Sequence, residues 1–532
     1  MHRLFNTRVL TLSLALSLTL SMSAACAASA AGFTFSNAPG PHRVGFKLRQ
    51  QYDYARVYKT RVDLVTAQPS AGERARPMQT LVWYPAAGKG KALAYRDYLA
   101  TMATETDFTV RPDAANKSAD AFIEREAKGY PQARQEAGRS MWAMQGAAEQ
   151  AGKFPIVIYA PSFSANAIEN ADLCEYLASH GYIVLASASL GPRSRSMTLD
   201  LEGLESQVAD IGFLIAQAHT MAQADPSRIA VVGFSWGGLA NAMAAAKDDR
   251  IGALVSLDGS MRGYAQFIDG GKDAAKYVTP ARLAVPLLYM GKRPLTVEAL
   301  QKRDIQTVFS MMNQMKYADV YIGAMYPMEH ADFASQALRF APDAQFGDYS
   351  RDEVSQAHSW TMRYVQRFLD AYLKQDAAAL AFLNNTPKQN GVPPHMLSME
   401  FRRGAAQAPT MENFARLLGK NGFGQAIAAY DRFRAQDGSF GLPAESFNSW
   451  GYQLARGGRP KDGIEIFKLA THVYPKDGNL FDSLAETYES IGDKPQAIVN
   501  YRRSLELWPE NKNAAARLTA LGAAATEEAG SK

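Results

Sequence analysis

A serine between glycines carries the clearest chemical signal in the sequence. Ser235 lies in Gly233-Phe234-Ser235-Trp236-Gly237-Gly238, a G-x-S-x-G motif that follows the apolar residues 229–232 and precedes an alanine-rich segment. A strand, a turn and a helix in this order form the context of a nucleophile elbow, in which the turn lifts the serine hydroxyl above the sheet edge. Glycine is needed because neighbouring side chains would collide with so tight a turn. The motif therefore predicts Ser235 as a nucleophile and the backbone N–H of Trp236 as an oxyanion donor.

A nucleophilic serine needs a base, and histidine supplies it in the Ser-His arrangements known from several folds. Of the four histidines that follow Ser235, His330 lies in a loop directly after the last predicted strand, at the carboxyl edge of the predicted sheet. The other three fall in a predicted helix, a linker and a helical repeat: His358, His395 and His472. We therefore predict His330 as the general base.

The histidine in turn needs a carboxylate that fixes its tautomer and stabilises its charge. Asp258 ends a predicted strand at residues 253–257 and is the preferred acid, although an aspartate before Gly259 is also typical of a turn cap. The alternative position follows the strand at residues 285–290, where no aspartate is present and only Glu298 lies nearby. The sequence thus favours Asp258 and leaves Glu298 as the second candidate.

A second oxyanion donor is expected in the loop after the predicted strand at residues 154–160. The loop reads Pro161-Ser162-Phe163-Ser164-Ala165-Asn166, and its small residues suit a close approach of backbone to substrate. We predict the N–H of Phe163 as this donor, with Ser164 as the neighbouring alternative.

The elements that must position these residues alternate between short apolar runs and amphipathic helices. Strands that are apolar on both faces and alternate with helices predict a parallel sheet covered on both sides, a doubly wound α/β domain. The predicted strands are residues 79–85, 154–160, 182–188, 229–233, 253–257, 285–290 and 319–322. A helical, mostly solvated insertion is predicted at about residues 113–153, and a helix within 351–375 is expected to close a catalytic domain of residues 31–390.

Beyond a linker at residues 388–395 the hydrophobic spacing is helical. Aromatic and small residues between Phe447 and Pro475 recur between Phe481 and Pro509 with an offset of 34 residues. This is the tetratricopeptide period, in which paired helices nest through interleaved aromatic and small side chains. We predict a helical-repeat domain at residues 396–525, with a degenerate earlier unit at 411–433.

The N-terminus and the composition indicate where the protein is located and which binding functions are disfavoured. Residues 1–30 combine Arg3 and Arg8, a run of Leu, Val, Ala, Ser and Thr, and small residues at possible cleavage sites, as in a secretory signal peptide. A periplasmic or secreted protein is therefore expected, with lipid anchoring at Cys26 as the minority alternative. The formal net charge of +5 is spread over 532 residues, which disfavours nucleic-acid binding. No Cys/His spacing suggests a metal site, and no later segment is apolar enough to span a membrane.

Residues 40–383 resemble the plasma-type platelet-activating factor acetylhydrolase family, within the wider dienelactone-hydrolase-like group of α/β-hydrolases. The similar features are Gly40-Pro41-His42-Arg43-Val44-Gly45, the G-x-S-x-G-G elbow, Asp258 in an L-D context 23 residues after Ser235, His330 followed by Phe333, and Leu-Ala-Ser-His-Gly-Tyr at 177–182. The resemblance implies hydrolysis of carboxylic esters through an acyl-enzyme, without metal or cofactor. Residues 160–164 lack the family's H-G-x-G, and the mammalian members lack the repeats, so platelet-activating factor is not the expected substrate.

The expected function is an exported serine esterase acting on short or medium acyl chains, with a small-molecule or lipid-like ester as substrate. Because the triad does not fix the leaving group, a peptidase or another acyl hydrolase is the alternative within the enzyme class. An exported scaffold that acts through its repeats is the alternative outside it. The repeats predict a protein partner or self-association.

Overall fold

The structure is a computed structural model of the 532-residue chain, and it describes residues 32–63, 66–262, 278, 283–295, 297–302, 311–405 and 407–523. The predicted signal peptide lies outside the described residues. The chain divides into two compact units, Met1–Gly404 and Ala405–Lys532. Among the described residues, no helix combines the length and hydropathy that crossing a membrane would require.

The first unit is built on a sheet to which the described residues contribute eleven strands. In chain order these strands are β1 (Arg43–Val57), β2 (Ala75–Ala86), β3 (Lys91–Ala94), β4 (Ser140–Gln145), β5 (Phe154–Ala160), β6 (Ile183–Ala186), β7 (Ala224–Phe234), β8 (Ile251–Leu257), β9 (Leu287–Lys292), β10 (Val320–Met325) and β11 (Leu397–Arg402). Their order across the sheet is β11-β10-β9-β8-β7-β5-β6-β2-β1-β4-β3.

The six strands from β5 to β10 are mutually parallel and form the centre of the sheet. Antiparallel pairs flank this centre, with β1 and β2 on one side and β11 beside β10 on the other. The predicted, mostly parallel sheet is therefore confirmed. Each of the seven predicted strands corresponds to an observed strand, but the strand predicted at residues 79–85 is β2, which is antiparallel to its neighbours. The carboxyl ends of parallel strands share one edge, so residues that follow β7, β8 and β10 are brought together there.

Helices cover the two faces of the sheet. In the first unit they are α1 (Tyr95–Thr101), α2 (Pro112–Ala127), α3 (Ala133–Ala137), α4 (Ala171–Ser179), α5 (Leu201–His219), α6 (Trp236–Lys247), α7 (Val297–Lys302), α8 (Met311–Gln314), α9 (Ser335–Phe340), α10 (Arg351–Leu373) and α11 (Ala377–Asn384). Alternate residues of β5 enter different cores: Val157 packs with residues of α4 and α10, and Ile158 packs with residues of α5 and α6. This division follows from the period of two along a strand.

The predicted helical insertion at residues 113–153 is only partly correct. Helices α2 and α3 occupy its first part, but Ser140–Gln145 forms β4, which pairs in parallel with β1 and antiparallel with β3. Met141 and Ala143 are buried while their neighbours are more exposed, so the strand has the period of two expected at a sheet surface. The surrounding Ala, Glu, Arg and Gln residues favour a helix, so the sequence predicted a helix where this short alternating strand lies.

The predicted boundary between the domains also needs correction. The segment after His395 was expected to be helical, yet Leu397–Arg402 is β11, hydrogen-bonded in antiparallel register to β10. Phe401 stacks on Tyr321 of β10 with ring centroids 4.4 Å apart. Leu397, Met399 and Phe401 alternate with polar residues, which is a strand pattern. The first unit therefore ends at Gly404 rather than at residue 390.

The second unit is helical throughout its described residues. Its helices are α12 (Met411–Asn421), α13 (Ala426–Gln436), α14 (Ala444–Arg456), α15 (Pro460–Val473), α16 (Gly478–Ser490), α17 (Lys494–Leu507) and α18 (Lys512–Ala520). Helix α14 packs on α15, and α16 packs on α17. A side chain at Gly451 would collide with the ring of Phe467, which explains why a small residue faces an aromatic residue at this crossing.

Candidate active site

Ser235 lies in a sharp turn between β7 and α6. Its φ of 54° is in the left-handed region, which a residue with a side chain rarely adopts. The turn is closely packed, because a Cβ on Gly233 would collide with the carbonyl oxygen of Gly237, and one on Gly237 with that of Ala160. The N–H of Ser235 donates to Leu257 O at 3.0 Å, which joins the turn to the end of β8. The predicted elbow geometry is therefore present at Ser235.

The structure brings His330 directly to the serine. His330 begins a short 3-10 helix after β10, and its Nε2 lies 2.9 Å from Ser235 Oγ. Its ring packs against Phe234, with centroids 5.0 Å apart. Of the other downstream histidines, His358 is fully buried in α10, where its Nδ1 lies 2.9 Å from the carbonyl oxygen of Asp332, and burial lowers its pKa to about 4. His330 is thus the histidine positioned to take a proton from Ser235.

Asp258 is the carboxylate that contacts the histidine. It follows β8, and its Oδ2 lies 2.5 Å from His330 Nδ1. Its Oδ1 accepts a hydrogen bond from the Lys292 N–H at 3.1 Å, so both carboxylate oxygens are engaged. The other candidate, Glu298, is an exposed residue of α7. The structure therefore joins Ser235, His330 and Asp258 in one hydrogen-bonded series.

The loop after β5 lies against the elbow. The ring of Phe163 packs edge-on against Trp236 with centroids 5.5 Å apart, and Phe163 is 38% exposed. Ser164 has a φ of 56°, its Oγ accepts from the Met197 N–H at 2.7 Å, and its carbonyl oxygen accepts from Arg195 at 2.9 Å. The side chains of Phe163 and Trp236, the two residues predicted to supply the oxyanion donors, are thus neighbours, and Ser164 is anchored in the same loop.

Two buried carboxylic acids support this loop, and neither was singled out in the sequence. Glu105 accepts from the Ala167 N–H at 3.0 Å and pairs with Arg195 at 3.1 Å; burial raises its pKa to about 7. Glu169 accepts from the Ser162 N–H and the Tyr159 hydroxyl, each at 2.9 Å, and burial raises its pKa to about 6. The only sequence signal for Glu169 was that it is a lone acidic residue within the mostly apolar segment 167–171.

A cavity of about 360 Å³ opens beside the turn that carries His330. It is lined mainly by apolar side chains, and it includes Phe122, Ala334, Ala337 and Phe340 together with Glu169. Its volume is in the range typical of small-molecule sites. Within the described residues, no group of His, Cys, Asp and Glu is arranged to hold a metal ion.

The sheet order, the elbow and the Ser-His-Asp series define an α/β-hydrolase. Residues 141–361 match the Dienelactone hydrolase family, a segment that includes Ser235, Asp258 and His330. The first unit is accordingly a dienelactone-hydrolase-like α/β-hydrolase, and the match supports a hydrolase that acts on esters. The narrower resemblance to platelet-activating factor acetylhydrolases stays a prediction.

A ferulic acid esterase from Streptomyces cinnamoneus is similar at 20% sequence identity with a TM-score of 0.47, covering 70% of this chain and 100% of the esterase chain. No curated protein matches the sequence.

Proposed function

We propose that the protein is an exported serine hydrolase that cleaves carboxylic esters with short or medium acyl chains. The observation that carries the proposal is the series from Ser235 Oγ through both ring nitrogens of His330 to Asp258, at 2.9 and 2.5 Å. Three residues from three separate segments meet in the order that nucleophilic catalysis needs. The signal-like residues 1–30 support export.

In the proposed reaction, Ser235 Oγ attacks the ester carbonyl carbon while His330 Nε2 takes the hydroxyl proton. The carbonyl π bond breaks, and the resulting oxyanion accepts hydrogen bonds from the N–H groups of Trp236 and Phe163. Asp258 stabilises the imidazolium that forms. As the intermediate collapses, His330 passes the proton to the departing alkoxide, which leaves as an alcohol. Water then cleaves the acyl-enzyme by the same steps, which releases the acid and restores Ser235.

The cavity lined by Glu169, Ala334 and Phe340 supports a substrate of limited size. Its apolar lining favours a hydrocarbon or aromatic portion of the ester, and about 360 Å³ holds a modest group rather than a long lipid chain. The same nucleophile could attack an amide, so peptide cleavage is the competing activity that a substrate panel must separate.

We assign the helices of the second unit to tetratricopeptide-like repeats, and this assignment supports a binding role separate from the esterase site. Helices α13, α15 and α17 begin at Ala426, Pro460 and Lys494, each 34 residues after the one before. An open cavity of about 780 Å³ lies on this unit, lined by residues that include Tyr474, Lys476, Asn479 and Trp508. Its mixed aromatic and polar lining suits a protein partner or a second copy of the chain.

The test of the esterase proposal is Ser235→Ala, with Ser227→Ala as a matched control. Ser227 lies exposed in β7, the strand that ends before Ser235. We expect Ser235→Ala to lower turnover of p-nitrophenyl esters by about 10⁶-fold, and Ser227→Ala to leave it unchanged. A fluorophosphonate probe should label the wild type at Ser235 alone. Faster cleavage of matched peptide anilides than of esters would assign the site to amide substrates instead.

A further inference from the structure

Glu169 lies under the loop that supplies the proposed oxyanion donor. It directly precedes Asn170 and α4, and only 6% of its surface is exposed. Its Oε2 accepts two hydrogen bonds at 2.9 Å, from the Ser162 N–H and from the Tyr159 hydroxyl. Its Oε1 accepts a third from the Ser162 hydroxyl. The carboxylate therefore fixes the backbone N–H and the side chain of Ser162, the residue immediately before Phe163.

A buried charge without a counter-ion is unfavourable, and most buried acids of this unit avoid it. Glu105, Asp172 and Asp210 each pair with an arginine, namely Arg195, Arg339 and Arg76. Within the described part of the chain, no lysine or arginine forms an ion pair with Glu169. All three of its hydrogen-bond partners are instead neutral donors from β5 and the loop that follows it. Glu169 thus differs from these acids in that its oxygens bind only β5 and the loop that contains the proposed oxyanion donor.

The same short segment also contacts the turn that carries His330. The carbonyl oxygen of Glu169 accepts from the Gln336 N–H at 3.1 Å. The side chain of Asn170 donates to Phe333 O at 3.0 Å and accepts from the Ser335 N–H at 2.8 Å. Glu169 and Asn170 thus join the loop after β5 to the turn after β10, two segments about 160 residues apart in the chain.

We propose that Glu169 is a positioning residue that holds the oxyanion-donating loop in a fixed relation to Ser235 and His330. The inference rests on the proposed function. Donors of an oxyanion hole act only if they lie within about 3 Å of the place where the charge develops. A shift of Ser162 would move the next peptide, which carries the Phe163 N–H, away from this place without moving Ser235 or Asp258.

The role favours the ionised form of Glu169. Three donors point at its two oxygens, and a proton on either oxygen would compete with one of them. Burial raises the pKa of Glu169 to about 6, and the nearby His330 opposes this rise. The other ionisable groups near its carboxyl group include Tyr159 of β5, Tyr95 of α1 and Glu126 of α2, which lines the same cavity. Turnover should therefore fall as the pH drops through about 6.

The test compares Glu169→Ala, Glu169→Gln and the matched control Glu175→Gln. Glu175 is another buried glutamate, in α4, but it bonds to Tyr98 and the Trp142 N–H, away from the loop. For Glu169→Ala we expect kcat to fall on the order of 10²-fold with KM changed less than about threefold, by analogy with loss of an oxyanion donor. Glu169→Gln keeps the side-chain size and one acceptor oxygen. It should restore most of kcat above pH 7. Below pH 7 it should reduce the acid limb of the pH profile of kcat from two ionisations to the single one of the general base His330.

Two measurements keep the outcomes distinct. The rate of fluorophosphonate labelling at Ser235 also requires a formed oxyanion hole, so it should fall in Glu169→Ala even without a known ester substrate. Equal losses in Glu175→Gln, or a raised KM with unchanged kcat in Glu169→Ala, would overturn the positioning role. A wild type that is labelled but cleaves no ester overturns the proposed esterase function alone.

Discussion

Replacing Asp258 with asparagine changes one oxygen into an amino group and tests the whole hydrogen-bonded series. Oδ1 of Asp258 accepts from the Lys292 N–H at 3.1 Å. An amide amino group cannot accept this bond, so the carbonyl oxygen of the new side chain must stay at that position. Its amino group then faces His330 Nδ1, which must become an acceptor and leaves the ring proton on Nε2.

A proton on Nε2 removes the base. Nε2 lies 2.9 Å from Ser235 Oγ, and a protonated nitrogen there cannot take the serine proton. The corresponding change in a Ser-His-Asp triad lowers kcat by about 10⁴-fold, which equals about 5 kcal/mol of transition-state stabilisation. Because the asparagine has the same shape, the thermal midpoint should stay close to that of the wild type.

The assay is kcat for p-nitrophenyl acetate at pH 8, with Glu298→Gln as the control acid. Glu298→Gln should retain wild-type turnover, because Glu298 is an exposed residue of α7 and Asp258 is the acid bonded to His330. A loss below tenfold in Asp258→Asn, with the large loss in Glu298→Gln, would refute the assignment of the acid.

Three further predictions concern the scaffold. Gly237→Ala should lower the free energy of unfolding by about 1–3 kcal/mol in urea titrations, because the new Cβ collides with Ala160 O. The control Gly212→Ala, which lies in open space on α5, should raise the free energy of unfolding by up to about 1 kcal/mol. Burial raises the pKa of Glu175 from 4.5 to about 7, so the stability tied to its neutral form is present below pH 4.5 and lost as the pH rises through 7. Glu175→Gln should remove this pH-dependent loss, so its thermal midpoint should fall less than that of the wild type as the pH rises through 7; an equal fall in both proteins would contradict it. A chain ending at Gly404 should keep ester turnover, whereas one ending at Thr386 lacks β11 and should melt at lower temperature; equal melting would contradict the revised boundary.

The centre of the fold and the three residues of the candidate site could be predicted because their patterns are local. Strands buried on both faces are continuously apolar, and the carboxyl ends of parallel strands share one edge. Once Ser235 was placed after one such strand, Asp258 and His330 followed from their positions after two others. Their mutual distances depend on the sheet order, which hydrophobic spacing does not specify.

The peripheral elements were harder to predict because their signals are weak. β4 and β11 are short and half-exposed, so a few alternating residues must outweigh a composition that favours helix. Glu169 was missed for a different reason. In sequence it is a single acid before a helix, which is typical of a solvated N-terminus, and only the tertiary contacts with Ser162 and Tyr159 distinguish it.

The positive φ values at the site have a consequence for attempts to engineer the enzyme. Ser164, Ser235 and Asp258 adopt φ values of 56°, 54° and 39°. Each such residue costs on the order of 1–3 kcal/mol that glycine would avoid, because glycine has no Cβ. A mutant library sorted only for thermal tolerance should therefore enrich glycine at these codons. Such a screen would select against the proposed nucleophile and the proposed acid, so sorting for heat resistance must be paired with a turnover readout.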